Sequence, residues 1–131
     1  MNDIPEKRPI SYAKRWWLAI RQRTLPAAGS PVLLGWAIAW ASGAFAWIPA
    51  LVILLCALLL QMLANLVNDV ADFQKGTDKS GRLGPVRVTQ SGLLSVRQVW
   101  TGAVVIALLA ASGGVYLALY RGWPVLVMGG V

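Results

Sequence analysis

Two long apolar runs, at residues 25–43 and 47–67, decide what this chain can fold into. The first reads L-P-A-A-G-S-P-V-L-L-G-W-A-I-A-W-A-S-G, and the second is dominated by L-V-I-L-L-C-A-L-L-L. Roughly 19 residues at about 1.5 Å each give about 28 Å of helix, enough to cross the hydrocarbon of a bilayer. Composition agrees: the 131 residues are 57% hydrophobic and 13% charged, with a mean hydropathy of +0.61. That is too apolar for a soluble domain of this size.

The rest of the chain follows from these two spans. Residues 1–9 are polar, and residues 12–23 mix cations with Trp16, Trp17, Leu18 and Ile20, the pattern of an interfacial helix. Pro26 and Pro31 fall near the start of the first span, where lost backbone hydrogen bonds matter least. A cleaved signal peptide is the competing reading of this region, but the polar leader is long and a second apolar span follows at once. Residues 73–98 form a basic, Gly-rich connection with a Gly84-Pro85 break. Ser95 and Gln98 have capping-box spacing for a third span over residues 99–120. A fourth apolar stretch occupies residues 123–131, too short to cross as a helix. The expectation is an all-α integral membrane protein with three complete transmembrane helices and the start of a fourth, a fragment or one piece of a split protein.

Charge sets the orientation. Lys7, Arg8, Lys14, Arg15, Arg21 and Arg23 precede the first span, and Lys75, Lys79, Arg82, Arg87 and Arg97 lie between the second and third. Only Arg121 follows the third, and no cation separates the first two. The positive-inside rule then places the N-terminal segment, residues 1–24, and the 73–98 loop in the cytoplasm. The same clustering beside apolar runs explains the net charge of +7 better than nucleic-acid binding does; the expected surroundings are membrane lipid, with no nucleic acid as partner. Cys56 is the single cysteine, which rules out an internal disulfide, and the absence of histidine rules out His-based catalysis and ligation within this chain.

The second span carries an unusual end. Gln61, Asn65, Asn68, Asp69 and Asp72 are spaced so that, at about 100° per residue, they fall within an arc of roughly 100° on one helix face. Carboxylates and amides at the end of a hydrocarbon-like segment are costly to place, and they mark a functional site by default. Asp69 and Asp72 can approach one ion from successive turns. Carboxylate oxygens with room for water suit Mg²⁺, which completes its shell with water and substrate phosphate. Asn65 and Asn68 can serve as ligands or hydrogen-bond a phosphate oxygen or a metal-bound water, and the cations of the following loop can neutralise the bound anion. The bland alternative is a solvated helix end.

The segment N-L-V-N-D-V-A-D-F-Q-K-G-T-D, followed by R-L-G-P-V-R, resembles the first aspartate-rich motif of the UbiA superfamily of intramembrane prenyltransferases. It is most similar to the menaquinone-pathway branch, the 1,4-dihydroxy-2-naphthoate polyprenyltransferases, whose N-D-x-x-D-x-x-x-G-x-D pattern is matched by Asn68, Asp69, Asp72, Gly76 and Asp78. Other branches often carry a third aspartate where Gly76 stands. Upstream, R-Q-R-T-L-P at residues 21–26 is similar to the R-P-K-T-L-P that leads into the family's first helix, with departures at Gln22 and Arg23.

The resemblance implies part of a nine-helix bundle in the bacterial inner (plasma) membrane, with a cavity open to the cytoplasm and to lipid. It implies transfer of a polyprenyl group from polyprenyl diphosphate to an aromatic acceptor, 1,4-dihydroxy-2-naphthoate, with loss of CO₂, giving demethylmenaquinone. By the same resemblance Asp69, Asp72, Asn65 and Asn68 hold Mg²⁺, with Asp69, Asp72 and Asn68 as the catalytic set. Lys75, Lys79, Arg82 and Arg87 are candidates for the diphosphate or the acceptor carboxylate, although Lys79 and Arg97 read more simply as cytoplasmic charges. Arg21 and Arg23 either close the site from the first helix or mark the membrane interface. Asp78 either hydrogen-bonds a group that touches the ion or caps the loop, and the tryptophans at 36, 40, 47, 100 and 123 are interface and packing residues. The family's second aspartate-rich motif is expected from a further half, in the same chain or a partner chain, because no carboxylate side chain follows Asp78 here; the 131-residue chain alone is expected to be inactive. Two other readings remain: a related enzyme with another aromatic acceptor, and a non-catalytic membrane subunit or transporter fragment whose acidic face lines an ion path.

Overall fold

The computed structural model describes residues 9–76, 88–122 and 124, and every regular element among them is helical. Three stretches are long and apolar enough to cross a membrane: Tyr12–Ala41, Trp47–Gln74 and Val96–Arg121. The expected stretch at 123–131 lies outside the described residues apart from Pro124.

Helix α1 spans Tyr12–Ala19, opened by Ser11, whose hydroxyl accepts from the Lys14 N–H at 3.3 Å. The interfacial helix expected over 12–23 therefore stops early. Arg21 takes a left-handed backbone (φ 50°, ψ 64°), which no α-helix contains, and a single 3-10 turn over Gln22–Thr24 follows it. Helix α2 then runs Leu25–Ala41. Pro26 sits in its first turn as expected, whereas Pro31 stands inside the helix rather than at its margin. A helix interior beside other helices tolerates that loss because neighbouring groups take up the freed carbonyl.

Helix α3, Trp47–Gln74, has 28 residues, or about 42 Å, against a hydrocarbon thickness of about 30 Å. The excess of roughly two turns matches the polar end from Asn65 onward. Helix α4 spans Val96–Arg121, three residues earlier than expected. Both halves of the capping box form: the Ser95 hydroxyl accepts from the Gln98 N–H at 3.1 Å, and the Gln98 side chain accepts from the Ser95 N–H at 2.9 Å. Since Gln98 is the third residue of a capped helix, the helix must begin at Val96.

The tightly packed part of the molecule lies at one end. Ala19 of α1, Leu66 and Val70 of α3, Val88 and Leu94 of the turn before α4, and Val99 and Ala103 of α4 bury together. Trp16 and Leu18 close over them. Away from this end α3 and α4 approach through small residues, with Gly113 so close that a Cβ on it would collide with Cys56 Sγ. At the packed end α4 meets α1 in the same way: a Cβ on Gly102 would stand 2.5 Å from the Trp16 ring. Large apolar side chains such as Leu34, Ile38, Ile48, Leu108 and Leu119 face outward, which costs nothing where the surroundings are lipid. At the opposite end Trp36, Trp40, Phe45 and Trp47 meet edge to face with centroids 4.9–6.5 Å apart, consistent with packing roles for these tryptophans.

The close approach at Gly102 sets a stability test. Gly102→Leu drives a side chain into Trp16 and should destabilise the protein by about 1–3 kcal/mol. Gly114→Ala, where a Cβ meets nothing within 4 Å, should leave the thermal midpoint in detergent unchanged or raised.

Candidate active site

The polar face of α3 is divided by the packing around it. Across the arc the five residues fall in the order Asp69, Asn65, Asp72, Gln61, Asn68, at about 100° per residue. Exposure rises in the same order. Asp69 and Asn65 are 2% and 4% exposed, Asp72 and Gln61 are half-buried, and Asn68 is exposed. One edge of the face thus points into the protein core and the other points away from it.

The buried edge is satisfied by two separate segments. Asn65 Nδ2 donates to the Ile20 carbonyl and to Thr24 Oγ1, both at 2.8 Å. Thr24 Oγ1 in turn donates to the Arg21 carbonyl at 2.9 Å. Gln61 Nε2 reaches Thr24 Oγ1 and Asn65 Oδ1, each at 3.5 Å. This explains the left-handed Arg21: the turn swings the Ile20 carbonyl out of the α1 ladder and toward the amide of α3. Asn65 thus clamps the junction of α1 and α2.

Asp69 is held from the other side of the site. The Thr89 N–H donates to Asp69 Oδ2 at 3.0 Å, and the Thr89 hydroxyl makes a short hydrogen bond to the same oxygen. A buried carboxylate needs such donors, and hydrogen bonds to a charged group are worth roughly 1.5–3 kcal/mol each. Asp72 lies one turn further along α3, half-buried, so the two carboxylates share a face as the spacing predicts. Asn68 sits exposed at the far edge, and Lys75 caps the helix end, exposed, where a cation complements the helix dipole. The α1–α2 junction brings Arg21, half-buried, and Arg23, exposed, to the same end of the bundle. Asp78, Lys79, Arg82 and Arg87 lie outside the described residues.

Thr24 and Thr89 were missed by sequence reasoning. Each is a single hydroxyl whose partner lies 41 and 20 residues away, and no local pattern distinguishes it from other threonines.

The UbiA prenyltransferase family matches residues 28–131. The chain belongs to this family. Among curated relatives it is 36% identical over 111 residues to the 1,4-dihydroxy-2-naphthoate octaprenyltransferase of Escherichia coli (strain K12), covering 85% of this chain and 36% of that protein. It is 42% identical over 106 residues to the enzyme of the same name from Mycobacterium tuberculosis (strain ATCC 25618 / H37Rv), covering 80% and 36% respectively. The Haemophilus influenzae relative of that name is 35% identical over 106 residues, covering 79% and 34%. The chain thus spans about a third of the length of the curated relatives it matches. No solved structure matches it. Membership in this membrane family and the three apolar helices together make the protein a multi-pass membrane protein.

The Asn65 clamp makes a direct prediction. Asn65→Ala removes the amide and strands the Ile20 carbonyl, and should cost about 1–3 kcal/mol, read as a lower thermal midpoint in detergent.

Proposed function

We propose that the protein contributes the first half of a diphosphate-binding site in an enzyme that transfers a polyprenyl group from polyprenyl diphosphate to 1,4-dihydroxy-2-naphthoate. The observation that carries this reading is the pairing of Asp69 and Asp72 one turn apart at the polar end of α3, with Arg21 and Arg23 brought to the same end by the α1–α2 junction. The names of the relatives, at 35–42% identity, support the choice of acceptor.

The donor set fits Mg²⁺. Among the described residues no three His, Cys, Asp or Glu side chains gather into a closed all-protein cage. Two hard carboxylates with space for water and phosphate are the kind of site Mg²⁺ takes. Asp69 and Asp72 would hold the ion, with Asn68 at the exposed edge and Asn65 supporting from behind. The ion would supply charge neutralisation for the departing diphosphate.

The remaining work falls to the chain itself. Lys75, Arg21 and Arg23, together with Arg82 and Arg87, offer cations to the diphosphate or to the acceptor carboxylate. As the allylic C–O bond breaks, the electron pair leaves with diphosphate, and fixed cations stabilise that developing charge. The acceptor ring carbon that bears the carboxylate forms the new C–C bond. Its C–CO₂⁻ bond then breaks, returning the electron pair to the ring, and CO₂ departs to leave the prenylated 1,4-dihydroxynaphthalene, the reduced (quinol) form of demethylmenaquinone. Apolar helix surfaces keep water from the allylic cation. The distribution of Lys and Arg supports an orientation with the N-terminal segment and the α3–α4 connection facing the cytoplasm, and the bacterial relatives support an inner-membrane location.

In the full-length enzyme Asp69→Ala and Asp72→Ala should each abolish Mg²⁺-dependent prenyl transfer, measured with radiolabelled prenyl diphosphate in isolated membranes. Near-normal transfer by either variant would remove that residue from the site.

A further inference from the structure

Among the described residues, the two hydrogen bonds made to Asp69 both fall on Oδ2, and neither takes Oδ1. Their donor residue is held independently of Asp69. Thr89 is 6% exposed, and its neighbours Val88 and Leu94 are each 1% exposed in the core. The turn around it is closed by backbone bonds from the Leu93 and Leu94 N–H groups to the Val88 carbonyl, at 3.0 and 3.4 Å, and from the Gly92 N–H to the Thr89 carbonyl at 3.3 Å. The Arg15 guanidinium of α1 adds a bond to the Leu93 carbonyl at 3.4 Å. Thr89 is therefore a fixed point on a packed turn, aimed at one oxygen of the carboxylate.

We infer that Thr89 is a positioning residue for cation binding: by occupying Oδ2 of Asp69 it fixes the carboxylate and leaves Oδ1 as the oxygen that meets a divalent ion. The inference rests on the diphosphate-site reading above. A carboxylate oxygen that accepts two hydrogen bonds has its lone pairs engaged, so the acid acts through one oxygen. An orienting partner of this kind typically governs metal affinity by about 10–100-fold.

The test uses the purified full-length protein in detergent, with Mn²⁺ binding read by electron paramagnetic resonance in the presence of inorganic diphosphate. Thr89→Val keeps the shape and the backbone N–H but removes the hydroxyl, and should weaken Mn²⁺ binding about tenfold or more. Thr89→Ser restores the hydroxyl and should bind within about twofold of the parent, a smaller change than any orienting loss. In the activity assay Thr89→Val should raise the Mg²⁺ concentration needed for half-maximal rate while the KM for the aromatic acceptor stays put. Parent-like Mn²⁺ affinity in Thr89→Val, or an equal loss in Thr89→Ser, overturns the inference. If Thr89→Val does not fold, Thr89→Cys, similar in size and a weak donor, replaces it and must show the same loss. Asp69→Asn and Asp72→Asn separate the two readings. Undiminished Mn²⁺ binding in both sinks the metal site itself, whereas loss in both with parent-like Thr89→Val removes only the role of Thr89.

Discussion

A carboxylate buried to 2% exposure can persist only if the protein supplies its hydrogen bonds, and in this molecule Thr89 supplies them to Asp69. Much of the polar end depends on that requirement. To reach Asp69 the chain must return to α3 after the connection and fold a turn against it. The turn in turn buries Val88 and Leu94 and delivers Ser95 to cap α4. The polar contact and the apolar core are thus one construction: the same turn seats the donor and fills the space beneath it.

Asn65 does the equivalent work on the other flank. Its amide binds the Ile20 carbonyl and the Thr24 hydroxyl, which fixes the junction between α1 and α2 and holds Arg21 in a left-handed conformation. A single helical face therefore has two kinds of member. Those toward the core tie down the segments that arrive from before and after α3, while Asp72 and Asn68 remain toward the open edge. The proposed diphosphate site would draw on this preorganisation, because groups held in place lose little freedom when a ligand arrives.

Much of this architecture was legible from the residues. Apolar length gave the helices because hydrocarbon thickness imposes it, and Ser95 with Gln98 marked the start of α4 because their roles are local. The polar arc was legible because helical periodicity places residues 61, 65, 68, 69 and 72 on one face regardless of neighbours. The rotation of that face relative to the core was not, since periodicity says which residues lie together but not which edge points inward. Thr24 and Thr89 were hidden for a related reason. Their partners are set by how α1 and the pre-α4 turn pack, a property of the folded chain rather than of any short pattern. The early end of α1 was hidden too: Arg21 is a poor candidate for a left-handed residue until the Asn65 amide is seen to hold the turn.

The uneven packing has a physical origin in the surroundings. In a bilayer, outward-facing Leu34, Ile38 or Leu108 gains little by moving against protein, since lipid tails are equally apolar. What cannot be left to lipid is a buried amide or carboxylate. Polar groups therefore determine where the chain must close on itself, and close packing collects around them. Along the hydrocarbon the helices need only small residues, Gly113 against Cys56, to approach. The end of α3 that carries Asp69 is consequently where several segments converge and where the chain is most tightly tied.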